Sequence, residues 1–184
     1  MKELFAILMG GVLLNNYALQ SFLGVSTLLG GARDTKKSAA MGAGVTVVMV
    51  LSGILCWLVD TFVLDTLKAS YLQPLIFTAL ILAVAGAVGA LVKVIFKKPL
   101  GIAFPLLALN SAVLGVAVNN AGAGYTFVQA LVSSAAVGIG FTLAMVLFCG
   151  IRAKINEKYV PAAFRGLPIY LMAASILALT LFAF

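Results

Sequence analysis

Apolar residues run along this chain in long uninterrupted stretches, separated by short polar joints. Segments such as TVVMVLSGILCWLV and LIFTALILAVAGAVGALV are apolar on every side, with neither a polar helix face nor strand alternation. A helix needs roughly 20 such residues to cross a bilayer. Six stretches qualify, at about 4–31, 39–62, 71–95, 100–120, 126–150 and 167–184. Backbone polar groups find no water in hydrocarbon, so helices are the expected solution, and the missing alternation argues against a barrel. The pattern predicts an all-α integral membrane protein of six transmembrane helices. It forms a single membrane domain over residues 1–184. Met1-Lys2-Glu3 leads into the first stretch with no small-residue cleavage site, so no cleavable signal is expected.

The joints set the orientation. Arg33, Lys36, Lys37, Lys93, Lys97, Lys98, Arg152, Lys154, Lys158 and Arg165 fall after the first, third and fifth stretches; only Lys2 and Lys68 fall on the other side. Basic residues concentrate in cytoplasmic loops. The odd-numbered joints are therefore expected in the cytoplasm and both termini outside it. The net charge of +7 reflects this asymmetry, not affinity for nucleic acid. With 64% of residues hydrophobic and 9% charged, a soluble domain is excluded.

The chain also repeats itself. Residues 38–54, SAAMGAGVTVVMVLSGI, align with 134–150, SAAVGIGFTLAMVLFCG. The matched pairs include Ser38/Ser134, Gly42/Gly138, Gly44/Gly140, Thr46/Thr142 and Met49/Met145. Upstream, STLLGGA (26–32) aligns with SAVLGVA (111–117). Repeat 1 is assigned to about 4–95 and repeat 2 to about 100–184. Three spans per half is an odd number, so the second half runs in the opposite sense, as an inverted repeat about an axis in the membrane plane.

The first and fourth spans are expected to be broken near the midplane. The first carries Gly10, Gly11, Asn15, Asn16 and Gly24 and is longer than one straight crossing needs; the fourth carries Pro105, Asn110, Gly115, Asn119 and Asn120. Interrupted spans at corresponding positions mark midplane sites. Asn15, Asn16, Asn110, Asn119 and Asn120 are the candidate polar residues, beside the matched pair Ser26 and Ser111. Asn and Gly also serve plain helix packing. If the two serines are neighbours, both must lie near the bilayer centre. Each hydroxyl could bond back to a carbonyl in the preceding turn.

Other chemistry is constrained. No histidine is present, so histidine-based catalysis and His-ligated metals are excluded within the chain. No acidic residue lies well inside a span, so no mid-membrane carboxylate relay is expected. Cys56 falls near the outer end of the second span and Cys149 near the inner end of the fifth, most of a membrane thickness apart, so neither a mutual disulfide nor a shared metal is expected. They read as small buried apolar residues. No catalytic residue and no metal site is assigned.

A set of motifs resembles one family over nearly the whole length. These are LLNNYAL and FLGVSTLLG in the first span, KKSAAMGAGVTVVMV opening the second and CWLVDTFVL closing it. LNSAVLGVAV, AVGIGFTLAMVLFCGIRAKI and VPAAFRGLPI follow in order. They resemble the RnfA/NqrE family, the integral membrane subunits of Rnf and Nqr complexes. The resemblance implies a subunit that is not catalytic alone. It would belong to an ion-translocating complex in a prokaryotic plasma (inner) membrane, moving electrons among ferredoxin, NADH and quinone coupled to Na⁺ or H⁺. It further implies other Rnf/Nqr subunits as partners, among them a homologous six-helix subunit of opposite topology (RnfE/NqrD-like). The pair would share a 2Fe-2S centre, with two cysteines from each. The sequence departs from the family at those ligands. The family's Leu-Cys-Pro reads Val25-Ser26-Thr27 and its Asn-Cys-Ala reads Asn110-Ser111-Ala112. Iron–sulfur clusters are held by thiolates. The site is therefore expected to hold no metal as sequenced, as in a diverged paralogue. The alternative is a small inverted-repeat ion or solute transporter without redox function.

Overall fold

The computed structural model describes residues 2–14, 21–30, 34–64, 66, 70–96 and 110–182. All regular structure among them is helical. Helix α1 spans Lys2–Met9 and continues as a π-helical turn, Gly10–Leu14. The short α2 covers Val25–Gly30, and α3 covers Thr35–Val59 with a further π-helical turn to Leu64. Helices α4 (Gln73–Phe96), α5 (Ser111–Gly122), α6 (Phe127–Lys154) and α7 (Leu167–Phe182) complete the order. By length and composition, Thr35–Leu64, Gln73–Lys93 and Phe127–Lys154 can cross a membrane, and Leu167–Thr180 is a shorter apolar helix. These match the second, third, fifth and sixth stretches read from sequence. In the first stretch two helical pieces flank residues 15–20, and of the fourth only residues 110–120 are described.

The starts of the long helices are set locally. Asp34 caps α3 by accepting from the Lys36 N–H. Thr126 and Gln129 form a capping box at α6, and the Gln129 carboxamide accepts from the Thr126 N–H at 2.9 Å. Both devices satisfy donors that a helix start otherwise leaves open.

The core is built around α3 and α6. As residue numbers rise along one helix they fall along the other: Gly42 faces Thr142, Thr46 faces Gly138, and Gly53 faces Ser134. The helices are antiparallel. A Cβ at Gly42 would meet the Thr142 side chain and backbone, and one at Gly138 would meet Thr46 in the same way. Small residues let the backbones approach this closely, and in lipid such packing drives helix association. The hydroxyls join in. Thr46 Oγ1 donates to the Gly42 carbonyl and Thr142 Oγ1 to the Gly138 carbonyl, both at 3.0 Å, and the two hydroxyls lie 3.1 Å apart. Val45, Val48, Met49, Phe141, Ala144, Met145 and Phe148 fill the interior beside them.

Helix α1 lies along α6 in the parallel sense. The Gln129 amide donates toward Glu3 at 3.5 Å, Gly11 sits against Ala136 and Val137, and Gly140 approaches the carbonyls of Gly11 and Val12. The molecule therefore has two poles. One holds Glu3, the start of α6, the end of α3 and the start of α4, where Gln73 donates to Asp60 at 2.6 Å. The other holds the starts of α3 and α7 and the ends of α4 and α6. The second pole carries Lys36, Lys37, Lys93, Arg152, Lys154, Lys158 and Arg165, whereas Lys2 is the described base at the first. The asymmetry counted in the sequence is a physical separation of charge.

Candidate functional site

The starts of α2 and α5 meet at the candidate site. Phe22 and Gly24 both have positive φ, 52° and 76°, which turns the chain sharply into α2. Gly24 needs to be glycine twice over. L residues with a side chain disfavour its φ, and a Cβ there would run into Asn110 Oδ1 and the Phe141 ring. Its carbonyl accepts from the N–H groups of Thr27 and Leu28, which starts α2. On the other side Asn110 is the N-cap of α5. Its Oδ1 accepts from the Ala112 N–H at 2.9 Å and its carbonyl from the Val113 N–H.

A bond joins the two starts: the Gly24 N–H donates to Ser111 Oγ at 2.9 Å. Ser111 is the first residue of α5 and Ser26 the second of α2, so both serines sit at helix starts. The Ser111 oxygen accepts from the backbone ahead of α2, and the carbonyls that its expected back-bond would use lie outside the described residues. Both serines are exposed on the surface of the single chain, whereas the neighbouring Thr27 and Asn110 are buried. Asn110 Nδ2 is buried with no hydrogen-bond partner. A buried donor left without an acceptor costs about 1–3 kcal/mol.

The remaining candidates separate. Asn119 and Asn120 are in the last turn of α5, roughly 13 Å along its axis from Ser111 at the α-helical rise. Asn119 is exposed. Asn120 is buried in a polar knot: Ser133 donates to its Oδ1 at 2.7 Å, and its Nδ2 donates to Ser134 Oγ at 3.2 Å and the Ala130 carbonyl at 3.4 Å. The knot ties α5 to α6 and leaves Asn120 away from the serines. Asn15 and Asn16 lie outside the described residues. Composition marked the asparagines without revealing which were caps and which were packing.

Two contacts escaped the sequence reading. At the end of α6, Arg152 Nη1 donates to the Leu29 carbonyl of α2 at 2.9 Å, and its guanidinium stacks 4.4 Å from the Tyr170 ring centre. At the end of α3, Trp57 Nε1 donates to the Tyr125 carbonyl just past α5 at 2.8 Å, and its ring meets Phe127 edge-on. The only sequence signal was their position near corresponding helix ends.

The donor set of the serine site does not suit an iron–sulfur cluster. Serine hydroxyls replace both thiols, and one already accepts a backbone N–H. Cys56 and Cys149 are buried in α3 and α6, and among the described residues no three or more His, Cys, Asp or Glu side chains group together. No step through iron is derived for this chain.

Comparison with known proteins agrees with the full-length resemblance. The family described as "Rnf-Nqr subunit, membrane protein" matches residues 4–184. A protein of Syntrophotalea carbinolica, named as one subunit of an ion-translocating oxidoreductase complex, is 42% identical, covering 100% of this chain and 97% of that protein. A protein of Acetobacterium woodii, named as one subunit of the Na(+)-translocating ferredoxin:NAD(+) oxidoreductase complex, is 36% identical, with 98% and 96% covered. The counterpart from Azoarcus sp., which shares its name with the Syntrophotalea protein, is 38% identical, with 100% and 97% covered.

Proposed function

The chain belongs to the Rnf-Nqr subunit family, and we propose that it works as a membrane subunit of an Rnf-type complex coupling electron transfer to ion translocation. Likeness to named complex subunits along the entire length carries this reading. It favours a subunit over a free-standing transporter, because the likeness runs from one end of the chain to the other.

The finer architecture is an inverted repeat of two three-helix halves in one membrane domain, with α2 and α5 as half-helices that start at the midplane. Three features support it: the reciprocal Gly42–Thr142 and Thr46–Gly138 contacts, the antiparallel sense of α3 and α6, and the Gly24–Ser111 bond between the two breaks. The cationic pole lies in the cytoplasm, both termini lie outside it, and the membrane is the prokaryotic inner membrane. A homologous six-helix subunit of opposite topology covers the serine face. The exposure of Ser26 and Ser111 supports that cover. The site holds no cluster as sequenced, since neutral hydroxyls neither match the softness of iron nor balance the cluster's charge.

The test is to purify the complex through a tag on this chain and measure iron and the reduced-state spin signal assigned to this pair of subunits. Co-purification of the other Rnf subunits, with a homologous six-helix chain among them and no cluster at this site, is expected. The Ser26→Cys/Ser111→Cys variant should gain iron beside a cysteine-bearing partner. Recovery of the chain alone from native membranes would overturn the subunit reading. Stoichiometric iron on the unaltered serines would overturn the account of the ligands.

A further inference from the structure

The half-helices α2 and α5 pose a problem that α3 and α6 do not. A helix that stops leaves its last carbonyls without partners, and in a membrane there is little water to take them. Each half-helix is met at its far end by a donor from a long helix. Arg152, in the last turn of α6, gives Nη1 to the Leu29 carbonyl in the last turn of α2. Trp57, near the end of α3, gives Nε1 to the carbonyl of Tyr125, in the turn past α5 whose N–H groups at Ala123, Gly124 and Tyr125 close the last carbonyls of that helix. The repeat register places Arg152 opposite Cys56, one residue from Trp57. The two donors thus occupy nearly matching places at opposite poles, with different chemistry.

Each donor is itself held. The Arg152 guanidinium lies over Tyr170 of α7, a buried ring. Such stacking strengthens when the cation is desolvated, and a cation suits a helix C-terminus. The Trp57 ring packs edge-on against Phe127, 5.3 Å between centres, in the first turn of α6. The Gly24–Ser111 bond holds the two starts; the far end of α2 is held by Arg152, and the far end of α5 by the Asn120 contacts with α6 and by Trp57 on the turn that follows it.

We infer that Arg152 and Trp57 are a pair of positioning residues: Arg152 sets the pose of α2 and so of Ser26, and Trp57 sets the pose of α5 and so of Ser111. Neither touches the site. The inference rests on the proposed reading of Ser26 and Ser111 as paired positions on the face that a partner subunit covers. The prediction it makes is crossed, because each donor governs one serine and not the other.

The test places a thiol at one position at a time, Ser26→Cys or Ser111→Cys, in the assembled complex. The rate of N-ethylmaleimide modification is followed by peptide mass for this chain. Arg152→Gln removes the cation. Trp57→Phe keeps the ring against Phe127 and removes only the Nε1 donor. Arg152→Gln should raise the rate at position 26 about tenfold, the scale of one charge-assisted hydrogen bond, and leave position 111 within about twofold. Trp57→Phe should do the reverse with a smaller factor. If both positions move together in either variant, or neither moves in either, the pairing is overturned, since general loosening affects both. Should Arg152→Gln prevent assembly, Arg152→Lys is the reading variant. It keeps a cation and a donor but loses the flat stack on Tyr170, and it must move position 26 alone or the role of Arg152 fails. Oxidative cross-linking of the Ser26→Cys/Ser111→Cys variant, with Arg152 and Trp57 intact, tests the underlying site separately. Crossed rates without cross-linking would leave the positioning pair standing and remove the shared site.

Discussion

The pair of long helices α3 and α6 and the meeting of the shorter helices α2 and α5 hold together on different terms. The long helices touch through small residues over many turns, with matching hydroxyl bonds on both sides. The shorter helices meet through the bond from Gly24 to Ser111, beside a buried donor that has no acceptor. The first region works by the absence of side-chain volume, and many contacts share the load. The second works by a few polar atoms placed at helix ends. The matched motifs fall on both sides of this difference: the Gly42/Thr46 and Gly138/Thr142 pairs stand at the first contact, and Ser111, of the matched pair Ser26 and Ser111, stands at the second. Packing and polar contact are carried by different residues.

The contrast can be broken most strongly at the close approach. Gly42→Leu and Gly138→Leu should each push α3 and α6 apart, since a Cβ already meets the opposite threonine. A loss of about 1–3 kcal/mol is expected for each, similar in the two because the contacts are reciprocal, and read as a lower unfolding midpoint of the purified complex. Unequal effects would mean that the two contacts carry unequal load. Gly24→Ala should cost about 1–2 kcal/mol through its left-handed φ and the collision with Asn110 and Phe141. Its signature is local: maleimide rates at Ser26→Cys and Ser111→Cys should both rise, which the α3–α6 variants should not reproduce before unfolding. Thr46→Val should be mildest, about 0.6 kcal/mol, the average for a membrane hydrogen bond. A double-mutant cycle with Thr142→Val should give a coupling of similar size. Additive effects would show that the 3.1 Å approach of the two hydroxyls carries no energy of its own.

What could be read from the sequence follows from what repeats and what does not. The apolar stretches found α3, α4, α6 and α7, because bilayer thickness fixes their length. The alignment of 38–54 with 134–150 found the residues at the α3–α6 contact, because a packed interface needs the same small residues on both sides. Glycine and asparagine marked the first and fourth spans as weakened helices. They could not fix the turn at Gly24, because Phe22, with no composition signal at all, shares the positive φ. Nor could they separate Asn110, a cap, from Asn120, a knot to Ser133 and Ser134. Apolar residues on all sides leave no periodic stripe to report which face meets which neighbour. Arg152 read as one more loop-side base, and its bond to Leu29, 123 residues away in sequence, was invisible.

The threonine pair at the centre of the α3–α6 contact has a further property. Each hydroxyl has one proton. Each oxygen lies 3.0 Å from its own helix carbonyl and 3.1 Å from the other oxygen, so three bonds compete for two protons. If both protons go to the carbonyls, the oxygens face each other with no hydrogen between them. If one swings across, its former carbonyl keeps only the backbone N–H bond of its own helix. The heavy-atom contacts are reciprocal, but the hydrogens cannot be: only one of the two threonines gives its proton to the other at a time.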